Sequence, residues 1–595
     1  MSLDPVLAPK GQGRIHFSRE TARHLPNDLA GVRAGYRSAP PGGIVPSEGP
    51  AMIFTTLPLA FCLGASANGL SQDLPLPKSK PELSEYAETS SLEDVVSFLR
   101  ELQDAWAPVR FEWIGSSAGG KQLPLVVMSD PPVSDGMQAK RLGRPVVYVQ
   151  ANIHGGEVEG KEAAQMLLRD LFSQKGSFGL STIRPLHKEL VLVVVPVYNA
   201  DGNENWGEGR RNRPSQDGPA RVGQRANGDG LDLNRDCMKA RSPEMNAVLE
   251  HVYRKWDPDV VMDLHTTNGT RHGYHLTYSP PLHPNTDPWV LEFCRSELLP
   301  KVRERMRAEA HLETFDYGNA SGQPGSQVWQ TFGEEGRYVT NYAGLRNRIA
   351  VLSEAMSYLP FKKRIEATYW FTYLVLEEIA NQRERVARLI READASSMGT
   401  EITRQPKRLG VRFEMASRGV EEVLMEKAGA PRSGMAPEVI ERVPMEVFDR
   451  FRPTRMANLP VAYVIPSSFR DAVGLLLAHG IVVERLEPTN KRAFGCEYFH
   501  IREAIHSNQP FQGARLLRLE GEFVDGDCAV PVGDYIVRTA QPLQNLIFML
   551  LEPESLDGLA AWGFLGEKLL PGEIYPIYKL PVLNAPTTRV FSVED

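Results

Sequence analysis

The chain is poor in cysteine, with five in 595 residues and no C-x-x-C pair among them. That excludes a disulfide-built scaffold and the usual zinc-finger and dithiol spacings. Cys496 and Cys528 are compatible with a disulfide in an oxidising compartment and equally with two buried thiols. Basic excess is also missing, since 67 Lys and Arg face 74 Asp and Glu for a net charge of −7. Nucleic acid is therefore an unsuitable partner. No apolar run is long enough to span a bilayer. No G-x-S-x-G elbow is read in the sequence and no Cys stands beside a plausible base, so nothing calls for a covalent nucleophile. What remains is an ordinary globular composition, 42% hydrophobic and 24% charged, in a chain long enough for two or more domains.

Residues 1–51 are rich in Pro, Gly and Arg without apolar periodicity and read as disordered. Met52 opens MIFTTLPLAFCLGASANG, a short apolar run followed by Ala65-Ser66-Ala67, the pattern of a secretory signal. The expectation is translation from Met52, residues 1–51 outside the natural product, and a secreted or periplasmic protein. Two features count against it: the run is internal, and no Lys or Arg directly precedes it. The rival is a buried apolar segment. Residues 71–84 read as a linker, which makes 1–84 a leader.

The organising stretch is Val146 to Asp170. A β-branched apolar run breaks at Gly155-Gly156 and resumes at helical spacing through Ala163, Ala164, Met166, Leu167 and Leu168, which predicts strand, turn and helix. His154 and Glu157 sit on the turn, where an imidazole and a carboxylate can grip one metal ion from the same side. H-x-x-E also arises by chance, and His500-Ile501-Arg502-Glu503 is a second copy. The first is distinguished by the strands and loops C-terminal to it. Glu189–Val197 reads as a strand buried on both faces. It leads into a polar loop with Arg210, Arg211 and Arg213, which ends in Asp232-Leu233-Asn234-Arg235. Ser242-Pro243-Glu244 starts a helix, and Asp259–His265 and Arg348–Glu354 are further buried-type strands. Each carries one ionisable group, His265 or Glu354, to its carboxyl end. Strands alternating with helices predict a doubly wound α/β domain with its site on that rim.

In this order, H-x-x-E, Asn-Arg, a strand-terminal His and a strand-terminal Glu, the chain resembles the zinc metallocarboxypeptidases, the carboxypeptidase A-like family, over roughly residues 85–380. The resemblance implies a doubly wound mixed sheet and one Zn²⁺ held by His154, Glu157 and His265. It implies that Asp232 orients the first zinc histidine, and that Asn234 and Arg235 hold the substrate's terminal carboxylate. Glu354 becomes the general base, and Arg210 the arginine that polarises the scissile carbonyl, with Arg213 as second choice. Tyr342 is preferred over Tyr338 as the tyrosine that closes over substrate. The implied activity is removal of C-terminal residues from peptides. The alternatives are a zinc amidohydrolase acting on peptidoglycan stem peptides or N-acyl amino acids, and a pseudoenzyme serving as a binding module.

The predicted organisation is a catalytic domain over 85–385, a connecting segment over 386–452 and a smaller β-rich domain over 453–595. One long helix is predicted from about Lys362 to Ala393. The last region has short strands (VAYVI, GIVVERL, RLLRLEGEF, GDYIVRTA) and helices at Phe469–Leu477 and Leu543–Leu551. His500 and Glu503 fall there with no later His and Glu to complete a site and read as structural. Oligomeric state and side-chain preference are not legible.

Overall fold

A computed structural model of the chain describes residues 76–593, apart from 106–107, 268, 324–326, 400–406, 489–492 and 567–568. The signal-like segment and the expected start at Met52 lie outside the described residues. Among the described residues no helix is long and apolar enough to cross a membrane.

The site hangs from an eight-stranded sheet. Its spatial order is Val109–Ser116, Gln122–Met128, Val191–Val195, Val146–Ala151, Val260–Thr266, Ile349–Ala355, Leu276–Ser279 and Thr314–Asp316. The four strands from Val191–Val195 to Ile349–Ala355 run parallel, while Gln122–Met128 and Leu276–Ser279 join antiparallel on either side. The sheet is therefore mixed. Parallel strands are covered on both faces, which explains runs such as VVMDLHT in which every residue is buried. Because side chains alternate along a strand, Val149, Leu192 and Val194 meet Leu167, Leu168 and Leu376 of helices Glu159–Ser173 and Phe361–Asn381. Tyr148 points the other way, with its ring 6.1 Å from that of Tyr253, which in turn lies 5.3 Å from Tyr342 on helix Val339–Leu345. From Val146–Ala151 the chain goes first to one neighbour and later to the other. The carboxyl ends of Val146–Ala151 and Val260–Thr266 thus flank a topological switch point, where open α/β sheets bind ligands.

Local chemistry differs from the sequence reading in small ways. The sequence pattern Ser90-Ser91-Leu92-Glu93 predicts a capping box from Ser90, but Ser91 caps helix Leu92–Asp104 in a capping box with Asp94, and Ser90 donates to the buried Glu162 at 2.6 Å. The long helical pattern from Lys362 is two helices, Phe361–Asn381 and Arg383–Met398, interrupted at Gln382.

The stretch read as a connecting segment holds most of a long hairpin, Arg408–Glu426 with Ile440–Asn458. The hairpin pairs with Val328–Gln330 to make a four-stranded sheet. Beyond it lies a seven-stranded sheet ordered Leu517–Cys528, Phe494–His506, Tyr578–Leu580, Ala462–Ile465, Tyr535–Arg538, Val483–Leu486 and Thr587–Val590. Helices Arg470–Ala478 and Gln544–Leu551 fall among these strands. One apolar core runs unbroken from Val95 to Val590, so the C-terminal region packs directly on the α/β region. Cys496 and Cys528 are free and buried.

Candidate metal centre

Strand Val146–Ala151 leaves the sheet through Asn152, whose φ of 60° is left-handed. Its side-chain amide donates to the carbonyls of His154, Gly155 and Glu157 at 3.0–3.3 Å and holds the turn shut. A Cβ on Gly155 would stand 2.1 Å from the carbonyl carbon of Gly202, so only glycine fits there. The turn brings His154 Nδ1 within 3.0 Å of Glu157 Oε1. The third group comes from the next strand, where His265 Nδ1 lies 2.9 Å from Glu157 Oε2. All three side chains are buried, and their ligand atoms lie within 4.8 Å of one another.

The outer nitrogens define what the inner ones can do. His154 Nε2 lies 3.0 Å from Asp232 Oδ1 and His265 Nε2 lies 2.7 Å from Asp263 Oδ2. An ionised carboxylate only accepts, so each Nε2 carries a proton, and each Nδ1, once deprotonated, turns a lone pair inward. Both lone pairs then face the Glu157 carboxylate, acceptor against acceptor, an arrangement that a cation between them relieves. One carboxylate and two imidazoles, each backed by an outer carboxylate, are a suitable donor set for zinc. The surrounding charges favour a positive centre here, either a proton on Nδ1 or a metal ion in its place. Burial works against charge on Glu157, yet His154 and Arg213 hold its carboxyl well below the usual range. Burial also opposes charge on His265, but Asp263 and Glu157 raise it well above an ordinary imidazole.

Residues 95–268 match the zinc carboxypeptidase family model of the M14 peptidases. The chain carries a zinc carboxypeptidase domain. Carboxypeptidase 2 of Trichophyton rubrum is 22% identical over 513 residues, 82% of this chain and 86% of that protein. Carboxypeptidase 2 of Trichophyton equinum is 22% identical over 458 residues, 73% of this chain and 76% of its own length. Among solved structures, the metallo-carboxypeptidase of Burkholderia cenocepacia aligns at 14% identity and a TM-score of 0.37, covering 49% of this chain and 70% of that one.

Around the metal cluster lies a pocket of ≈ 80 Å³ lined by Arg225, Asn234, Arg235, Phe332, Tyr338 and Glu354 among others. Glu354 pairs in register with His265 across two parallel strands, so both reach the same rim. Its Oε2 is buried without a hydrogen-bond partner. Burial pushes its pKa up to about 8, with His265 opposing and Glu157 reinforcing the shift. Asn234 accepts from the Val339 amide at 3.1 Å. Arg235 donates to the Asn234 carbonyl at 2.6 Å and stacks 4.4 Å from the Tyr338 ring centroid. Burial opposes ionisation of Asp232, but His154, Arg225 and Arg235 hold its carboxyl well below the usual range.

Two of the residues chosen from the sequence do not line the pocket. Arg210 lies exposed on the short helix Gly209–Asn212 and is not part of the pocket lining. Arg213 does reach the cluster, but it is committed to Glu157 at 3.0 Å and to the carbonyls of Thr266 and Thr267. The pocket-lining guanidinium nearest the metal cluster's carboxylate is Arg225, 3.6 Å from Glu157 Oε1 and 2.8 Å from Asp232 Oδ2. Tyr342 is fully buried, with its hydroxyl 2.7 Å from His479 Nδ1; Tyr338 lines the pocket instead.

Sequence reasoning also passed over Asp263. The available signal was its i, i+2 spacing from His265, which puts both on one face of the strand. It passed over Arg225 because nothing in the loop's spacing separates it from Arg221. A G-x-S-x-G run does occur, Gly115 to Gly119, but it turns between antiparallel strands, and Ser117 donates to Asp201 at 2.7 Å. It is not a nucleophile elbow. The larger cleft of ≈ 540 Å³ beside Arg295, Arg303 and Arg450 shares no residue with the metal cluster.

Proposed function

We propose that this carboxypeptidase domain hydrolyses the C-terminal peptide bond of peptides, with Asn234 and Arg235 receiving the terminal carboxylate. The observation that supports this is a partly exposed guanidinium, Arg235, set into the same pocket as the metal cluster and backed by Tyr338. An exopeptidase needs such a fixed cation where the chain stops.

His154, Glu157 and His265 would hold zinc, which when bound supplies Lewis acidity and lowers the pKa of water from about 15.7 to about 7. Glu354 Oε2, unpartnered at the rim, accepts a proton from the attacking water and delivers it to the leaving amine nitrogen as the C–N bond breaks. Arg225 takes the carbonyl-polarising role that the sequence reading gave to Arg210; removing one such donor typically costs about 2.7–4 kcal/mol. Asp232 and Asp263 keep both imidazoles in the Nε2–H form.

The test compares a peptide bearing a free terminus with its C-terminal amide. Wild type should strongly prefer the free acid. Arg235→Ala should lose most of that preference, because a charge-assisted hydrogen bond contributes roughly 1.5–3 kcal/mol, about one to two orders of magnitude. Equal cleavage of acid and amide by wild type would overturn the reading.

A further inference from the structure

We infer that Gln512, at a hairpin tip of the C-terminal region, is a positioning residue for the carboxylate-binding loop, an inference that rests on the function proposed above. Phe511 and Ala514 exchange backbone hydrogen bonds of 2.8 and 3.0 Å, and the two residues between them, Gln512 and Gly513, have φ of 49° and 77°. Two central residues with positive φ make a type I′ turn, whose first position favours Asn, Asp or Gly. Glutamine is a poor choice there, since a non-glycine residue in the left-handed region is strained.

The side chain explains what the turn gains. Gln512 Oε1 accepts the backbone N–H of Asp232 at 2.7 Å, at the head of the short helix Leu233–Arg235 that carries Asn234 and Arg235. The Asp232 carboxylate is anchored separately, one oxygen by His154 and the other by Arg225, so loss of the contact at its N–H is passed on chiefly to Asn234 and Arg235, the residues that follow it.

Neighbouring contacts brace the same two pocket walls from the same region. Arg337 pairs with Asp557 at 2.8 Å and lies over the rings of Phe511 and Trp562, and its own amide donates to Asp557. Tyr338 and Val339 come directly after it and line the pocket. Arg241 donates to the Trp562 carbonyl at 2.6 Å. The C-terminal region thus holds the loop before Arg235 and the segment before Tyr338, between which a substrate carboxylate would enter.

Gln512→Asn separates this role from a merely structural one. Asparagine suits the turn better but is one methylene too short to keep the contact. The full-length zinc enzyme carrying Gln512→Asn should be at least as thermally stable as wild type and keep its zinc. Its KM for a free-acid peptide should rise roughly 3- to 10-fold, with kcat little changed and cleavage of the matching amide unaffected. Gln512→Glu retains an acceptor oxygen of equal reach and should restore most of the KM. Gln509→Ala, an exposed change on the same tip, should behave as wild type. Unchanged free-acid KM in Gln512→Asn, or equal losses on acid and amide, overturns the inference. A wild type indifferent to the free terminus overturns the proposed function and this inference with it, whereas an acid preference that Gln512→Asn keeps in full overturns this inference alone.

Discussion

H-x-x-E occurs in both halves of the molecule, and the two copies come to different ends. His154 and Glu157 lie on a turn leaving a parallel strand, and their side chains meet at 3.0 Å. His500 and Glu503 lie on the paired strand Phe494–His506. Among the described residues they join no group of three side chains that could hold an ion, whereas His154 and Glu157 are completed by His265. Ligand spacing carries meaning only together with the backbone conformation it is wound on. Removing one distant ligand should sharpen the contrast with the largest effect of all. His265→Ala should lose its zinc and its activity together, while His500→Ala keeps both, read by metal content and turnover of the purified enzymes. Full zinc occupancy in His265→Ala would break the comparison.

The two halves also differ in how much of them the sequence discloses. In the α/β half, buried parallel strands write themselves as apolar runs, and the ionisable residue ending each run marks the rim; His154, Glu157, His265 and Glu354 are legible for that reason. The C-terminal strands VAYVI and GIVVERL and both helices can be placed from turn residues and periodicity. Phe494–His506 escapes because its outward residues are charged and its inward ones too scattered to make a run. The hairpin Arg408–Glu426 with Ile440–Asn458 is hidden in the same way, since its burial is intermediate along much of its length.

Loops disclose least. Arg210 and Tyr342 are suggested by likeness of spacing, but a loop's path is decided by contacts distant in sequence. Arg213 is drawn inward by Glu157 and two carbonyls. Tyr342 is drawn into the core by His479, 137 residues away. Gln512 is beyond reach for the same reason, 280 residues from the amide it accepts.

A second contrast lies among the carboxylates of the rim. Glu354 ends a central strand with an unpartnered oxygen beside His265, whereas Glu334 belongs to the loop before Tyr338 and is not part of the pocket lining. Glu354→Gln keeps the shape but removes the proton acceptor, so kcat should fall by about 10²–10⁴ while zinc content stays at wild-type level. Glu334→Gln should leave turnover unchanged. Comparable losses in the two variants would place the base elsewhere.

The smallest expected effect separates two tyrosines one helical turn apart. Tyr338 offers its ring to Arg235 at 4.4 Å, whereas Tyr342 spends its hydroxyl on His479 and Arg346 inside the core. A cation–π contact at a partly exposed site contributes about 0.5–1 kcal/mol. Tyr338→Ala should therefore raise KM for a free-acid peptide about two- to five-fold, since about 1.4 kcal/mol corresponds to a factor of ten in affinity. Tyr338→Phe, which keeps the ring, should retain that contribution. Tyr342→Phe should do the opposite, leaving KM alone but stranding a buried His479 nitrogen at a cost of about 1–3 kcal/mol of stability. A denaturant midpoint and a KM measured on each variant test both assignments. If Tyr342→Phe raised KM at unchanged stability, the closing tyrosine would be Tyr342 after all, and the helix carrying it would have to move when substrate binds.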